Sequence, residues 1–179
     1  MYDDLQQFLA QYEAQLIEMT TWRNGTMPLR LAYYLGAELP PSAYISSVRA
    51  VLLHEGAVMV VRDLTNDYHV VPGGRREAGE SFLDTLRREM LEETGWTLRN
   101  PRPLGFVHFH HLAPKPDGYA FPYPDFLQQV YVAEAHTFMP EARDVGGYEV
   151  ETGFQPIHDA LQLPLRPGQR LWLKAAVSA

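Results

Sequence analysis

The sequence predicts an α/β fold in which a mixed β-sheet is packed between helices, with a helical extension at the N-terminus. Three observations carry that prediction. Runs rich in β-branched residues, such as 47–53 and 57–62, alternate with helical stretches, such as 81–94, along one chain. The 179 residues suit a single domain with a small appendage. An apolar fraction of 46% is enough to bury a core.

The N-terminal part reads as a helix over residues 3–20. Leu5, Phe8, Leu9, Tyr12, Leu16 and Met19 recur at helical spacing, and Asp3 and Asp4 suit the positive end of the helix dipole. Asn24-Gly25 and Pro28 break the pattern. Residues 29–35 read as a short strand, and Leu39-Pro40-Pro41 as a connector. The expected division is therefore a helix and connector over 1–45 and a main domain over 46–179. The apolar stripe of the helix has to be buried, either by packing on the domain or in a homodimer.

Strands 47–53 and 57–62 flank Glu55-Gly56, a two-residue hairpin turn. A third strand over 68–71 ends at Pro72-Gly73-Gly74. Residues 81–94 read as a helix capped by Ser81 and ended by Gly95. Further strands are expected near 97–109, near 127–134 and beginning near Gly153, and helices near 158–161 and 168–177.

Composition narrows the function. The net charge is -7 and there is no basic run, which disfavours a long nucleic acid as partner. A small phosphorylated ligand remains compatible, because a metal can supply positive charge. Cysteine is absent, which removes disulfides, thiolate metal sites and cysteine nucleophiles. No stretch approaches the ~18 apolar residues of a membrane span, and the N-terminus does not read as a secretory signal. These features predict a soluble, cytoplasmic protein that does not bind membranes.

The chemistry concentrates in residues 74–96, GRREAGESFLDTLRREMLEETGW. Glu89, Glu92 and Glu93 stand at i, i+3 and i+4 of the expected helix, so their carboxylates share a face. Like charges at that spacing destabilise an isolated helix by roughly 0.2–0.5 kcal/mol per pair. Taken alone, they describe a solvated acidic face as readily as a site. If the cluster is a site, it needs a cation, and hard carboxylate oxygens without thiolates suit Mg²⁺ or Mn²⁺.

The segment resembles the Nudix box, G-x5-E-x7-R-E-U-x-E-E-x-G-U, where U is bulky and apolar. Gly74, Glu80, Arg88-Glu89, Met90, Glu92-Glu93, Gly95 and Trp96 fill its fixed positions. From average residue frequencies, a chance match is on the order of one in ten million. Trp96 departs mildly, since aliphatics are usual there. The resemblance implies a Nudix-like α/β/α sandwich. It also implies metal-dependent hydrolysis of a pyrophosphate bond in a nucleoside diphosphate linked to another moiety, such as a nucleotide sugar or ADP-ribose-like compound.

As metal ligands the resemblance implies Glu89 and Glu93 first, then Glu92, Glu80 and a carbonyl of Gly73 or Gly74. Arg88 would tie the loop to the helix and orient a carboxylate. A carboxylate would take the proton of the attacking water, either a box residue such as Glu92 or one of Glu149 and Glu151 in GGYEVETGF. Glu149, nearer Gly146-Gly147, is slightly favoured over Glu151. Each is also compatible with an ordinary polar turn.

Residues 108–126, HFHHLAPKPDGYAFPYPDF, are dense in aromatics and prolines. Lys115, Tyr119, Phe121 and Tyr123 are candidates to hold a phosphate and a base. A proline-stiffened loop covering the core or a subunit interface is the plainer alternative. His108 and His110 share a strand face, but no third metal ligand stands at a helpful spacing. The SQPWPFPxS pattern of the NADH-cleaving group and the upstream pattern of the coenzyme A group are absent. Pro114 falls near, not at, the spacing of ADP-ribose hydrolases. Alternatives to the main reading are a noncanonical nucleoside triphosphate as substrate, an RNA cap, or a non-catalytic nucleotide sensor. The isomerase branch of the superfamily needs a cysteine that this chain lacks.

Overall fold

The structure is a computed structural model that describes residues 2–22, 25–119, 122–144 and 149–179. Helix α1 (Tyr2–Leu9) leads into strand β1 (Leu16–Trp22), which turns back as β2 (Met27–Leu35). Strands β3 (Ile45–His54), β4 (Ala57–Asp63), β5 (Tyr68–His69) and β6 (Gly73–Arg75) precede helix α2 (Phe82–Thr94). The long strands β7 (Trp96–His111) and β8 (Asp125–Phe138) follow, then β9 (Glu149–Pro156), helix α3 (Ile157–Ala160) and helix α4 (Pro167–Ser178).

All the strands belong to one sheet, ordered β1-β2-β7-β8-β3-β4-β5, with β6 paired to β3 and β9 to β4. The β3–β8 pair is parallel and the rest are antiparallel, so the sheet is mixed. Leu5 of α1 and Leu86 and Met90 of α2 pack with Val48, Phe106 and Leu127 on one face. Trp172, Leu173 and Ala176 of α4 pack with Leu31, Val107 and Val130 on the other. This is the expected sandwich.

The expected helix over 3–20 is corrected. It stops at Leu9, and residues 16–22 form β1 instead. Leu5, Phe8, Leu9 and Tyr12 do form an apolar group, and the rings of Phe8 and Tyr12 lie 5.3 and 5.4 Å from that of Phe106. Leu16 and Met19 fit the same helical count but sit in LIEMTTW, where Ile, Thr and Trp favour a strand. Backbone pairing with β2 settles the competition. The helical part of the stripe thus packs on the chain's own sheet, with Leu5 buried and Phe8, Leu9 and Tyr12 partly buried, while Met19 is exposed.

The hairpin at Glu55-Gly56 has φ of 46° and 80°, the double positive φ of a type I′ turn. The expected strand over 68–71 is shorter, pairing with β4 only at Tyr68 and His69, and pairing resumes at Gly73 on β3 rather than on β4. That switch brings residues 73–75 alongside α2.

Candidate active site

Helix α2 is set by its caps. The Ser81 hydroxyl accepts from the Asp84 amide at 3.2 Å, and Gly95, at φ 75°, closes the helix with its amide donating to Leu91. Leu86 and Met90 are fully buried, which fixes the rotation of the helix. Glu89 and Glu93 therefore face the β6 strand, against Gly74 and Gly73, and Glu92, more exposed, reaches Arg88 one turn back.

Arg88 organises this face. Its Nε donates to Glu80 Oε1 at 2.7 Å and its Nη2 to Glu80 Oε2 at 3.0 Å. Its Nη1 donates to Glu89 at 2.9 Å and to Glu92 at 3.1 Å, and Nη2 also reaches the Arg75 carbonyl at 3.1 Å. The guanidinium thus ties the loop to the helix and orients two further carboxylates. Glu80 also accepts from the Thr85 hydroxyl and the Glu77 amide. Arg88, then these two donors, hold its carboxyl down to about 2. Sequence reasoning placed Glu80 among the metal ligands. In the structure both its oxygens are engaged by Arg88 and the loop.

The two glycines have separate tasks. A Cβ on Gly74 would lie 2.3 Å from Glu89 Oε2 and 2.5 Å from its Cδ, so only glycine leaves room for that carboxylate. Gly73 has φ 130°, and a Cβ there would lie 2.4 Å from the Val48 carbonyl. Its amide donates to Glu93 at 2.6 Å. Burial pushes the Glu89 carboxyl up, and the neighbouring Arg88 opposes that shift. Glu89, Glu92 and Glu93 offer only carboxylate oxygens, and Arg88 Nη1 brings Glu89 and Glu92 together while the Gly73 amide holds Glu93. This donor set fits a hard divalent cation such as Mg²⁺ or Mn²⁺.

Glu93 and Arg49 open onto a cleft of about 410 Å³ on the α4 face of the sheet. That volume suits a small-molecule ligand. Trp22 and Phe109 stand toward its β1 end, their rings 5.6 Å apart. Asp63, His69 and Gln169 line its β4–β5 end. Burial raises the Asp63 carboxyl, but hydrogen bonds from His69 at 2.6 Å and from Thr65 and the Asp67 amide outweigh it and hold it well below the usual range. Arg49 donates to the Val71 carbonyl at 3.2 Å.

Sequence reasoning missed Arg49, Trp22 and Phe109. Arg49 did leave a signal, as a cation inside the apolar run VRAVLL of its strand. The predicted aromatic group sits elsewhere. Lys115, Tyr119 and Tyr123 do not line the cleft. Tyr119 donates to or accepts from His111 at 3.1 Å, and the Tyr123 ring stacks on His111 at 5.0 Å, while its hydroxyl donates to the Ala113 carbonyl. The plainer reading of this loop, aromatics packed on the domain, describes them. Phe121 lies outside the described residues.

Glu151 is exposed and its Oε2 accepts from Arg62 Nε and Nη2 at 3.0 and 2.8 Å. Glu149 is the ladder partner of Asp63, which lines the cleft. The Glu149 side chain, with Gly146 and Gly147, lies outside the described residues.

A family model described as the NUDIX domain matches residues 43–176. A Bacillus subtilis (strain 168) protein described as an uncharacterized Nudix hydrolase, YvcI, is 27% identical over 123 residues, covering 66% of this chain and 70% of its own. A NUDIX hydrolase structure from Nitrosomonas europaea has a TM-score of 0.57 at 21% identity, covering 75% of this chain and 89% of that one. A mutant form of the Bacillus subtilis pyrophosphohydrolase BsRppH has a TM-score of 0.62 at 15% identity, covering 90% of this chain and 96% of that one. At those identities the two structures speak for the fold.

Proposed function

The chain belongs to the Nudix family of pyrophosphohydrolases, and on that premise we propose that its substrate is a nucleoside diphosphate linked to another moiety, such as a nucleotide sugar or ADP-ribose-like compound. The observation that carries the reading is the order of groups along the cleft. Aromatic rings stand toward one end, Arg49 and Glu93 lie inward of them, and Asp63, His69 and Gln169 line the far end. A base, a pyrophosphate and a hydroxyl-rich group would meet those three surfaces in turn.

In this reading Glu89, Glu93 and Glu92 hold Mg²⁺ or Mn²⁺. Such a cation, when bound, offsets charge on the pyrophosphate oxygens and makes water easier to deprotonate. Arg88 keeps Glu89 and Glu92 in place, with Glu80 as its anchor. Arg49 meets a phosphate oxygen, and Trp22 and Phe109 receive the base. Glu149 takes the proton of the attacking water as a new P–O bond forms and the bridging P–O bond breaks. Its register position beside Asp63 supports that role, whereas Glu151 is engaged by Arg62.

The test is a phosphate-release screen in Mg²⁺ and in Mn²⁺ over nucleotide sugars, ADP-ribose, dinucleoside polyphosphates and noncanonical nucleoside triphosphates. Highest kcat/KM on a nucleoside diphosphate linked to a sugar supports the proposal. Highest kcat/KM on a triphosphate would replace it.

A further inference from the structure

On the face of the sheet away from the cleft, three side chains of metal-ligand type converge. His108 and His110 stand two residues apart on β7, so both rings leave the same side of the strand. Across the β7–β8 ladder, His110 faces Asp125. That carboxylate lies 15 and 17 residues further along the chain, beyond any local spacing signature. Asp125 Oδ1 is 2.6 Å from His108 Nε2 and 2.7 Å from His110 Nδ1. The three ligand atoms all lie within 4.8 Å of one another.

We propose that His108, His110 and Asp125 form a second metal site, for a borderline divalent ion such as Zn²⁺, separate from the box carboxylates. Two imidazoles and a carboxylate suit Zn²⁺ and not Mg²⁺, which prefers an all-oxygen shell. With metal–ligand bonds of about 2.0–2.2 Å, tetrahedral ligand atoms stand roughly 3.3–3.5 Å apart. The pairs around Asp125 need to open by less than about 1 Å to admit the ion. His108 and Asp125 are almost fully buried, with side-chain exposures of 7% and 5%, so their rotamers are held by packing. The His110 side chain is 40% exposed and provides the entry path and an open position for water.

The set lies on the α2 side of the sheet. His108 has Ala32 and Leu127 as its ladder partners, and both pack in the cluster that contains Leu86 and Met90 of α2. Phe109, between the two histidines, points the other way and lines the cleft. A metal here would clamp the strand segment that presents Phe109. Arg30, the ladder partner of His110, adds a cation nearby and opposes tight binding.

The two sites are separated experimentally by saturating the chain with Mg²⁺, which fills carboxylate sites and leaves imidazoles alone. Imidazole ¹H–¹⁵N spectra are then followed as Zn²⁺ is added. The expected result is that the ring signals of His108 and His110, assigned by their loss in single variants, shift and saturate at one equivalent. His110→Ala, His110→Gln and Asp125→Asn should each weaken Zn²⁺ binding by at least ~10²-fold, since even outer-shell partners are worth 10–100-fold. Circular dichroism identifies the variants that keep the fold, and His110, half-exposed, is the one best placed to do so. Unmoved His108 and His110 signals at one equivalent of Zn²⁺ would overturn the proposal. So would a folded His110 variant whose affinity stays within tenfold of wild type.

Discussion

Arg88 grips Glu80 with two nitrogens, Nε 2.7 Å from one carboxylate oxygen and Nη2 3.0 Å from the other. The Glu80 carboxyl is thereby held down to about 2. Its unfolded value is about 4.3, so the ion pair contributes stability above that pH and loses it as pH falls toward 2. Urea midpoints measured from pH 6 to pH 2.5 should show Glu80→Gln less stable than wild type at pH 6 and converging with it in acid. Parallel curves across that range would mean that the pair does not contribute.

Gly73 and Gly74 should fail in different ways when changed to alanine. At Gly74 the added Cβ meets the end of the Glu89 side chain, which can move. The fold should survive while kcat falls by about 10²-fold, the scale expected for a misplaced catalytic group. At Gly73 the added Cβ meets the backbone of β3 at positive φ, which should cost about 1–3 kcal/mol of stability. Melting curves and kcat of both variants check this. A Gly74→Ala enzyme of full activity would show that Glu89 need not occupy the position seen.

Glu149 and Glu151 are distinguished by their pH–rate profiles. Glu149→Gln should lose the acidic limb together with most of kcat. Glu151→Gln removes only the contact to Arg62, an exposed pair worth about 0.2–1 kcal/mol, and should keep the wild-type profile. If both variants keep the acidic limb, the base belongs to the box, and Glu92 becomes the next residue to change.

Removing residues 1–40 should leave the chain insoluble. Strand β2 covers β7 from Gly105 to His111, and Leu29, Ala32 and Leu5 are fully buried. The truncated chain would expose both an open strand edge and apolar core. Light scattering that finds a stable, soluble species would contradict this packing.

The helix that carries the box was legible from cap to cap because each of its signals is local. Ser81, the apolar positions 86 and 90, and Gly95 act within a few residues of one another. The same holds for the Glu55-Gly56 turn. The N-terminus departs from its helical pattern because Leu16 and Met19 continue a helical count that backbone pairing with β2 overrides. The spacing of Glu80 says that it comes near the acids, but not that Arg88 claims both its oxygens. Arg49, Trp22 and Phe109 meet only after three separate strands are assembled in one sheet, and nothing in their spacing announces that.

Pyrophosphate cleavage should depend on a cation held by Glu89 and Glu93. The most direct measurement is kcat of wild type, Glu89→Gln and Glu93→Gln on the best substrate, first in EDTA and then across a Mg²⁺ or Mn²⁺ titration. The expected result is no wild-type activity in EDTA, recovery on adding metal, and a loss of at least ~10²-fold in each variant with the fold intact. Full activity in chelator, or a loss below tenfold in both variants at normal metal affinity, would contradict it.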